Sequence, residues 1–188
     1  MSRWELLTLK DSARWSQLVD SCKQADIHFS PGYLKLFEDK IGGIPMLFIS
    51  YDSNDKNFVL YPFFKRRIND IDTFSSLQNE FYDIVSPWYF GGPLFYSEIN
   101  KKETVNSFLN NIQIFANENR IITEFTRIHP LLNVDEDFIM STKAEYRYDV
   151  SYVDLRLSLE EIWSNFKKSN RNAINAAKRK KKIGRAHV

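Results

Sequence analysis

Two carboxylates, Asp83 and Glu124, stand in or beside apolar runs: Ile84-Val85 in the first case, Ile121-Ile122 with Phe125 in the second. A carboxyl among apolar side chains loses hydration of its charged form, so its pKa rises and it can accept a proton near neutral pH. Both are candidate general bases. The competing reading is a buried salt bridge, for instance of Glu124 with Arg127 or Lys65. Directly after Asp83 comes a second candidate feature, Ser86-Pro87-Trp88-Tyr89-Phe90-Gly91-Gly92-Pro93. Proline lacks a donor, fixes φ and pushes Ser86 towards extended geometry. The glycines permit positive φ or a close backbone approach. Together they turn a strand end into a tight, aromatic-walled loop, the kind of segment that grips ligands when a sheet holds it. The alternative is a turn whose aromatics plug the edge of the core.

Other chemistries lack their signatures. There is no P-loop and no Gly-x-Gly-x-x-Gly, so phosphate cradles are unsupported. His28, His129 and His187 have no metal-ligand spacing among themselves or with Cys22, and no metal is expected. Nothing resembles a nucleophile elbow. Cys22 is the single cysteine, which rules out an intrachain disulfide and fits a cytoplasmic location. It lies four residues after Leu18 in a helical pattern and is read as core. Lys65-Arg66-Arg67 is read as a charged strand end rather than an anion site.

The chain has 188 residues, 43% of them hydrophobic and 15% aromatic. That is enough for a packed core and too apolar for disorder. No apolar run is long enough for a membrane span, and residues 1–5 lack an apolar signal region. The net charge of +2 conceals an asymmetry. Nine of the 26 basic residues, and none of the 24 acidic ones, follow Phe166; the remainder holds 17 against 24, a net of −7. The basic end, from Lys167 to Lys182, could attract nucleic acid or phosphate, or could be a solvated helix end complementing the helix dipole.

The elements that must position these residues follow from periodicity. Trp4–Leu9 reads as a strand, and Asp11 caps a helix to about Lys23. Ser30-Pro31 opens a second helix with Tyr33, Leu34, Phe37 and Ile41 on its apolar stripe, ended by Gly42-Gly43. Ile44–Tyr51 and Asn57–Arg67 form a hairpin around Asp52–Asp55, with Pro62 marking a bulge or an edge. Phe81–Val85 feeds the aromatic loop. A long amphipathic helix runs from about Glu98 to Asn119, then a strand from Ile121 to His129. After a polar segment at Asn133–Asp137, Glu145–Leu157 alternates as a strand. Ser158 and Glu161 form a capping box that opens a last helix running to about residue 182. This is a mixed α/β pattern with a hairpin-rich front.

Taken in order, Tyr82-Asp83-Ile84-Val85-Ser86-Pro87, Gly91-Gly92-Pro93-Leu94, Thr123-Glu124-Phe125-Thr126-Arg127-Ile128-His129-Pro130-Leu131 and Trp163-Ser-Asn-Phe166-Lys-Lys-Ser-Asn-Arg171-Asn-Ala-Ile174 resemble the FemAB-like branch of the GNAT acyltransferase superfamily. The likeness covers residues 1–182 and corresponds to the N-terminal half of such proteins. It implies a GNAT-like mixed sheet flanked by helices over residues 1–155, and the opening helix of a second, truncated GNAT-like module over 156–182. It implies acyl-CoA or aminoacyl-tRNA as donor, held largely by the second module, and an amine-bearing sugar or cell-wall precursor as acceptor. tRNA would then be a partner through the missing half.

On that resemblance Ser86, Trp88, Tyr89, Gly91 and Gly92 line the acceptor pocket. Arg127 and His129 contact the acceptor or order the loop, Arg171 faces the donor half, and Asp83 or Glu124 is the base. Two departures stand out. Trp88-Tyr89-Phe90 replaces the Tyr-Gly-Tyr more usual in relatives. Tyr33 and Phe37 stand where muropeptide-modifying relatives show Trp and Lys, which favours a surface-polysaccharide amino sugar over a peptidoglycan precursor. Finally, Ile183–Val188 breaks the helical pattern. The codon series ATC GGA AGA GCA CAC GTC encodes it and matches the start of a common sequencing adapter, so 183–188 is read as a non-native read-through tail and the natural chain is expected to be longer. The rival class is a non-catalytic binding module using the basic helix for nucleic acid or a protein partner.

Overall fold

Two long antiparallel strands, β2 (Ile44–Tyr51) and β3 (Phe58–Arg67), form the centre from which the rest of the sheet extends. Asp52 builds the turn between them by accepting hydrogen bonds from the backbone N–H of Asn54 and Lys56 and from the Asn57 amide. The computed structural model describes residues 3–54, 56–96, 101–132 and 136–180. The helix start expected near Glu98, most of the polar segment at 133–137 and the tail at 183–188 lie outside them. Among the described residues β1 (Trp4–Thr8) pairs with β2, β4 (Tyr82–Val85) pairs antiparallel with β3, and β6 (Ile121–Phe125) pairs parallel with β4. The order is β1-β2-β3-β4-β6, with the short β5 (Leu94–Phe95) also on β3. The sheet is therefore mixed, as the α/β pattern predicts.

Side chains alternate between two covered faces. Leu7, Leu47, Ile49, Leu60 and Phe64 pack with Trp15 and Val19 of α1 (Ser12–Asp20) and Leu34 of α2 (Pro31–Ile41). Phe48, Val59, Tyr61, Phe63 and Ile84 pack with Val105, Phe108 and Phe115 of α3 (Lys101–Glu118) and Phe138 of α4 (Glu136–Thr142). A sheet covered on both sides has no polar face, which explains why β2 and β3 are almost continuously apolar. Cys22 lies in the first cluster, as its spacing predicts, and burial pushes its thiol up to about 11.

Pro62 identifies where the sheet opens. Against β2 the register is unbroken, with Leu47 opposite Pro62. On the other side β4 and β5 run in one direction along β3, Val85 opposite Phe64 and Leu94 opposite Leu60. Four steps of β3 face nine of the other strand, so the surplus residues must leave the sheet as the loop 86–93. Pro62 sits in that gap, where no ladder needs its missing N–H.

The chain divides into two compact units, Met1–Glu145 and Tyr146–Val188. In the second unit the capping box is as expected: the Glu161 N–H donates to Ser158 Oγ and the Ser158 N–H to Glu161 Oε2. The expected single helix is two, α5 (Leu159–Asn165) and α6 (Lys168–Arg179), separated by extended Phe166 and Lys167. The expected strand over Glu145–Leu157 carries no ladder. The described part of this unit otherwise consists of helices, and a strand without a neighbour has nothing to satisfy its backbone. No described helix is long and apolar enough to cross a membrane.

Candidate active site

The loop 86–93 leaves the sheet and returns to the same neighbour. Ser86 N–H donates to the Phe125 carbonyl (3.0 Å) as β4 ends. Five residues later Gly91 N–H donates to the Arg127 carbonyl (2.8 Å), and His129 N–H donates to the Gly91 carbonyl (2.9 Å). The Arg127 N–H, left between these points, donates to Ser86 Oγ (3.3 Å). The aromatic loop therefore lies beside Arg127 and His129, as the sequence suggests. Ser86 itself is buried and its hydroxyl brackets the two strands. Gly91 is required by the loop's own closure: a Cβ there would lie 2.6 Å from Pro87 Cδ and 3.1 Å from Ser86 Cβ. Gly92 has φ +99, a conformation that glycine adopts without strain.

Helix α2 supports the loop. Ser30 caps it by accepting from the Tyr33 N–H, Pro31 sits in its first turn, and left-handed Gly42 ends it. Tyr33, Phe37 and Lys40, at positions i, i+4 and i+7, share one face. The Tyr33 hydroxyl donates to the Trp88 carbonyl (2.9 Å), and Phe37 stacks on the Trp88 ring (centroids 5.8 Å apart, planes at 13°). Lys40 Nζ lies 3.9 Å over the same ring, a cation–π contact. Burial pushes the Tyr33 hydroxyl pKa up, helped by Tyr89 and Asp26. Tyr89, at the tip, is 57% exposed and left-handed (φ 69). That conformation costs a residue with a side chain roughly 1–2 kcal/mol.

At the other end of the loop lies a cluster that the sequence does not disclose. Asp26 caps the 3-10 turn Ile27–Phe29, its Oδ1 accepting from the His28 N–H (2.9 Å). Trp15 pins that turn through an indole N–H to the Phe29 carbonyl (2.8 Å). The His28 ring nitrogen Nδ1 lies 3.0 Å from both Asp26 oxygens. Nε2 of buried His129 lies 2.8 Å from Asp26 Oδ2. The rings of His28, His129, Phe90 and Tyr33 pack edge to face around this point. Burial raises the Asp26 carboxyl pKa, but hydrogen bonds from the His129 and His28 side chains and the His28 N–H outweigh it and hold the group well below the usual carboxylate range.

Protons can be assigned from the partners. The Leu131 N–H donates to Nδ1 of His129 (3.2 Å). That nitrogen therefore offers a lone pair, and Nε2 carries the proton given to Asp26. Nδ1 of His28 faces an acceptor-only carboxylate, so it too carries a proton, and in the neutral ring Nε2 is then the acceptor. Asp26, His28 and His129 present ligand atoms within 4.8 Å of one another, a grouping able in principle to hold a metal ion. As hydrogen-bonded here, Nε2 of His129 is a donor and would have to lose its proton to ligate. The only sequence signal for the cluster was Asp26 as a turn cap with a histidine two residues on; the approach of His129 depends on the fold.

The expected site residues fall into three groups. Trp88, Tyr89, Gly91, Gly92, Arg127 and His129 are together. Asp83 is on the same face of the sheet but is occupied: Arg66 Nε and Nη2 grip its two oxygens at 3.0 and 2.5 Å. The salt-bridge reading holds there, with Arg66 as partner. Glu124 is on the opposite face, because it pairs with Ile84 and the side-chain period of a strand is two. It accepts from the Tyr61 hydroxyl and from Thr126 Oγ1 (3.0 Å), not from Arg127 or Lys65. Lys65 reaches Asn119 and the Tyr82 ring, and Arg67 reaches Asp70 and Glu80, so Lys65–Arg67 is a paired strand end. Arg127 lies over the Phe125 ring. In the second unit Arg171 donates to the Ser164 carbonyl (2.9 Å) and closes the end of α5. A cavity of about 220 Å³ lies at the end of α2 beside the Arg66–Asp83 pair, and one of about 470 Å³ along α3; the aromatic loop lines neither.

No protein-family model and no curated protein matches the chain. Among solved structures it is similar to the crystal structure of ribosomal-protein-alanine N-acetyltransferase from Brucella melitensis biovar Abortus 2308, with 12% identity, a TM-score of 0.46, and coverage of 82% of this chain and 100% of that one. A likeness that slight assigns no activity, which must be argued from the side chains above.

Proposed function

We propose that the chain carries the acceptor-facing part of an N-acyltransferase, moving an acyl group from acyl-CoA or aminoacyl-tRNA to an amine of a cell-envelope precursor or amino sugar. The observation that carries this reading is the return of the loop to the chain after β6 at Gly91, which gathers Phe90, His28 and His129 at one end of the loop while Trp88 stands at the other. Aromatic faces suit the apolar faces of a sugar ring. The Trp88 face already holds one amine, the ammonium of Lys40. An amine attacking a thioester or ester carbonyl needs positioning, a proton acceptor and a donor for the oxyanion. The resemblance of the loop, the β6 region and the Trp163–Ile174 segment to FemAB-like proteins supports the same class.

The test is acylation of a panel of amino sugars and cell-wall precursors by the natural full-length protein with acetyl-CoA, other acyl-CoAs and aminoacyl-tRNA, read by mass spectrometry. Trp88→Ala and Arg127→Ala should each lower turnover at least about tenfold with the fold intact by circular dichroism. Unchanged kinetics in both would remove this site.

A second reading is favoured by one observation: α6 carries Lys168, Arg171, Lys178 and Arg179 and no acidic residue. A module that binds nucleic acid through this helix should lose affinity steeply as salt rises. A flat salt response removes that reading.

A further inference from the structure

We infer that His28, held by Asp26, is the general base of this site, with Nε2 of its imidazole taking the proton of the amine acceptor. This rests on the acyl-transfer reading above. The two carboxylates picked out by the sequence are spent: Asp83 on a guanidinium, Glu124 on the far side of the sheet. His28 has the parts they lack. Its Nδ1 is fixed on Asp26 at 3.0 Å, which sets the ring's orientation and leaves Nε2 as an acceptor. Nε2 has no hydrogen-bond partner among the described residues and is not among the buried unsatisfied atoms, and the side chain keeps 18% of its surface in contact with solvent.

The charged and titratable groups around the ring are Asp26 from its own turn, His129 from the chain after β6 and Tyr33 from α2; the loop contributes the apolar ring of Phe90. Asp26 supplies the negative charge that stabilises an imidazolium on His28. His129 is a positioning residue: its Nε2–H binds Asp26 while its Nδ1 is tied to the Leu131 N–H, so the carboxylate cannot swing away.

The step balances. The amine nitrogen attacks the acyl carbonyl and forms the N–C bond. The ammonium proton of the tetrahedral intermediate passes to Nε2 of His28. The C–S bond of a thioester, or the C–O bond of an aminoacyl ester, then breaks, and the departing thiolate or alkoxide takes the proton back from the imidazolium.

The experiment measures kcat and KM of the natural full-length protein on the best amine of the panel, compared with His28→Gln, His28→Ala and Asp26→Asn. His28→Gln should lower kcat on the order of 10²–10⁴-fold, the usual worth of a positioned base, with KM for the amine within about twofold. Asp26→Asn should lower kcat by less than His28→Gln, because the amide oxygen can still orient the ring but carries no charge to offset the imidazolium. Added imidazole should restore part of the rate in His28→Ala, which a purely structural role would not allow. An undiminished kcat in His28→Gln, while Trp88→Ala abolishes turnover, would overturn the base and leave the transferase reading standing. If no amine is acylated by the natural full-length protein, the transferase reading fails first; the fragment by itself is not expected to turn over. Stoichiometric Zn²⁺ binding that is lost in His129→Gln would also overturn the relay, in favour of a metal centre.

Discussion

Asp26 and Asp83 both serve the side of the sheet covered by α1 and α2, yet they are chemically different. Asp83 is buried, its side chain 11% exposed, and its partner is the Arg66 guanidinium. That partner remains charged at any working pH. Asp26 has a side chain 38% exposed, and its partners are two imidazoles. Burial alone would pick Asp83 as the functional group. What matters is what the partner can do with a proton: Arg66 can hold Asp83 but cannot relay anything, whereas the imidazole of His28 has a second ring nitrogen that can accept a proton while the first stays on the carboxylate. The pair at Asp83 fastens β4 to β3, and the cluster at Asp26 is the one suited to chemistry.

The sharpest way to break this comparison is to remove Asp83. Asp83→Ala leaves the Arg66 guanidinium beside an apolar wall without its carboxylate. A fully buried pair broken this way costs about 3–5 kcal/mol. The Arg66 side chain is 36% exposed. Solvent screening therefore brings the expected loss down to about 2 kcal/mol. Denaturant unfolding measures it. Turnover of the remaining folded protein should stay within about twofold. A large loss of kcat at unchanged stability would make Asp83 the working carboxylate and reverse the assignment.

Gly91→Ala attacks the other side. The added methyl meets the Pro87 ring, which has little freedom to move aside. Overpacking of that kind costs about 1–3 kcal/mol. The damage should be local. Gly91 is tied to the β6 continuation through two backbone hydrogen bonds, one of them from His129, so the imidazole signals of His28 and His129 should shift in NMR spectra. The Arg66 guanidinium signal, attached to the far end of β4, should not.

Acid separates the two carboxylates more gently. The folded-state pKa of Asp26 is depressed. Its contribution is therefore present above the unfolded value of about 3.9 and is lost as pH falls towards the folded value. Over that range the unfolded chain binds more protons, and stability rises with pH. One group can contribute a slope of at most about 1.4 kcal/mol per pH unit, and partial exposure makes it smaller here. Unfolding of Asp26→Asn below pH 4 should show a flatter slope than the unaltered chain; an identical slope would mean that the imidazoles do not stabilise the ionised form.

Legibility in the sequence followed the range of the interactions. The β2–β3 hairpin, the Ser30-Pro31 start of α2 and the Ser158–Glu161 capping box are local patterns, and each is where its residues put it. The neighbourhood of the loop and the Arg127–His129 stretch came from a family likeness, and the backbone bonds at Gly91 account for it. Three features were not readable. The alternation of Glu145–Leu157 imitates a strand, but strand status needs a partner that a period-2 pattern cannot supply. The break at Phe166–Lys167 interrupts a helical pattern with no proline or glycine to announce it. The joining of Asp26 and His28 to His129 crosses most of the first unit, so the sequence points to carboxylates among apolar neighbours instead of among histidines.

Glu124→Gln tests the remaining alternative with the smallest expected effect. The Tyr61 hydroxyl is fully buried and donates to Glu124. Burial, followed by the charge of that carboxylate, pushes the Tyr61 pKa well above the ordinary value near 10. The amide oxygen of glutamine can still accept the hydroxyl proton, so the stability change should be under about 1 kcal/mol. Removing the charge should bring the Tyr61 pKa down, though burial keeps it above that of an exposed tyrosine, and ultraviolet titration of tyrosinate reads the change. Turnover should not move, because the β-strand period places Glu124 behind the sheet from Trp88 and His28. A substantial drop in kcat would put the proton acceptor on the α3 side, and no rotation of a side chain could then bring the aromatic loop to the same reacting atom.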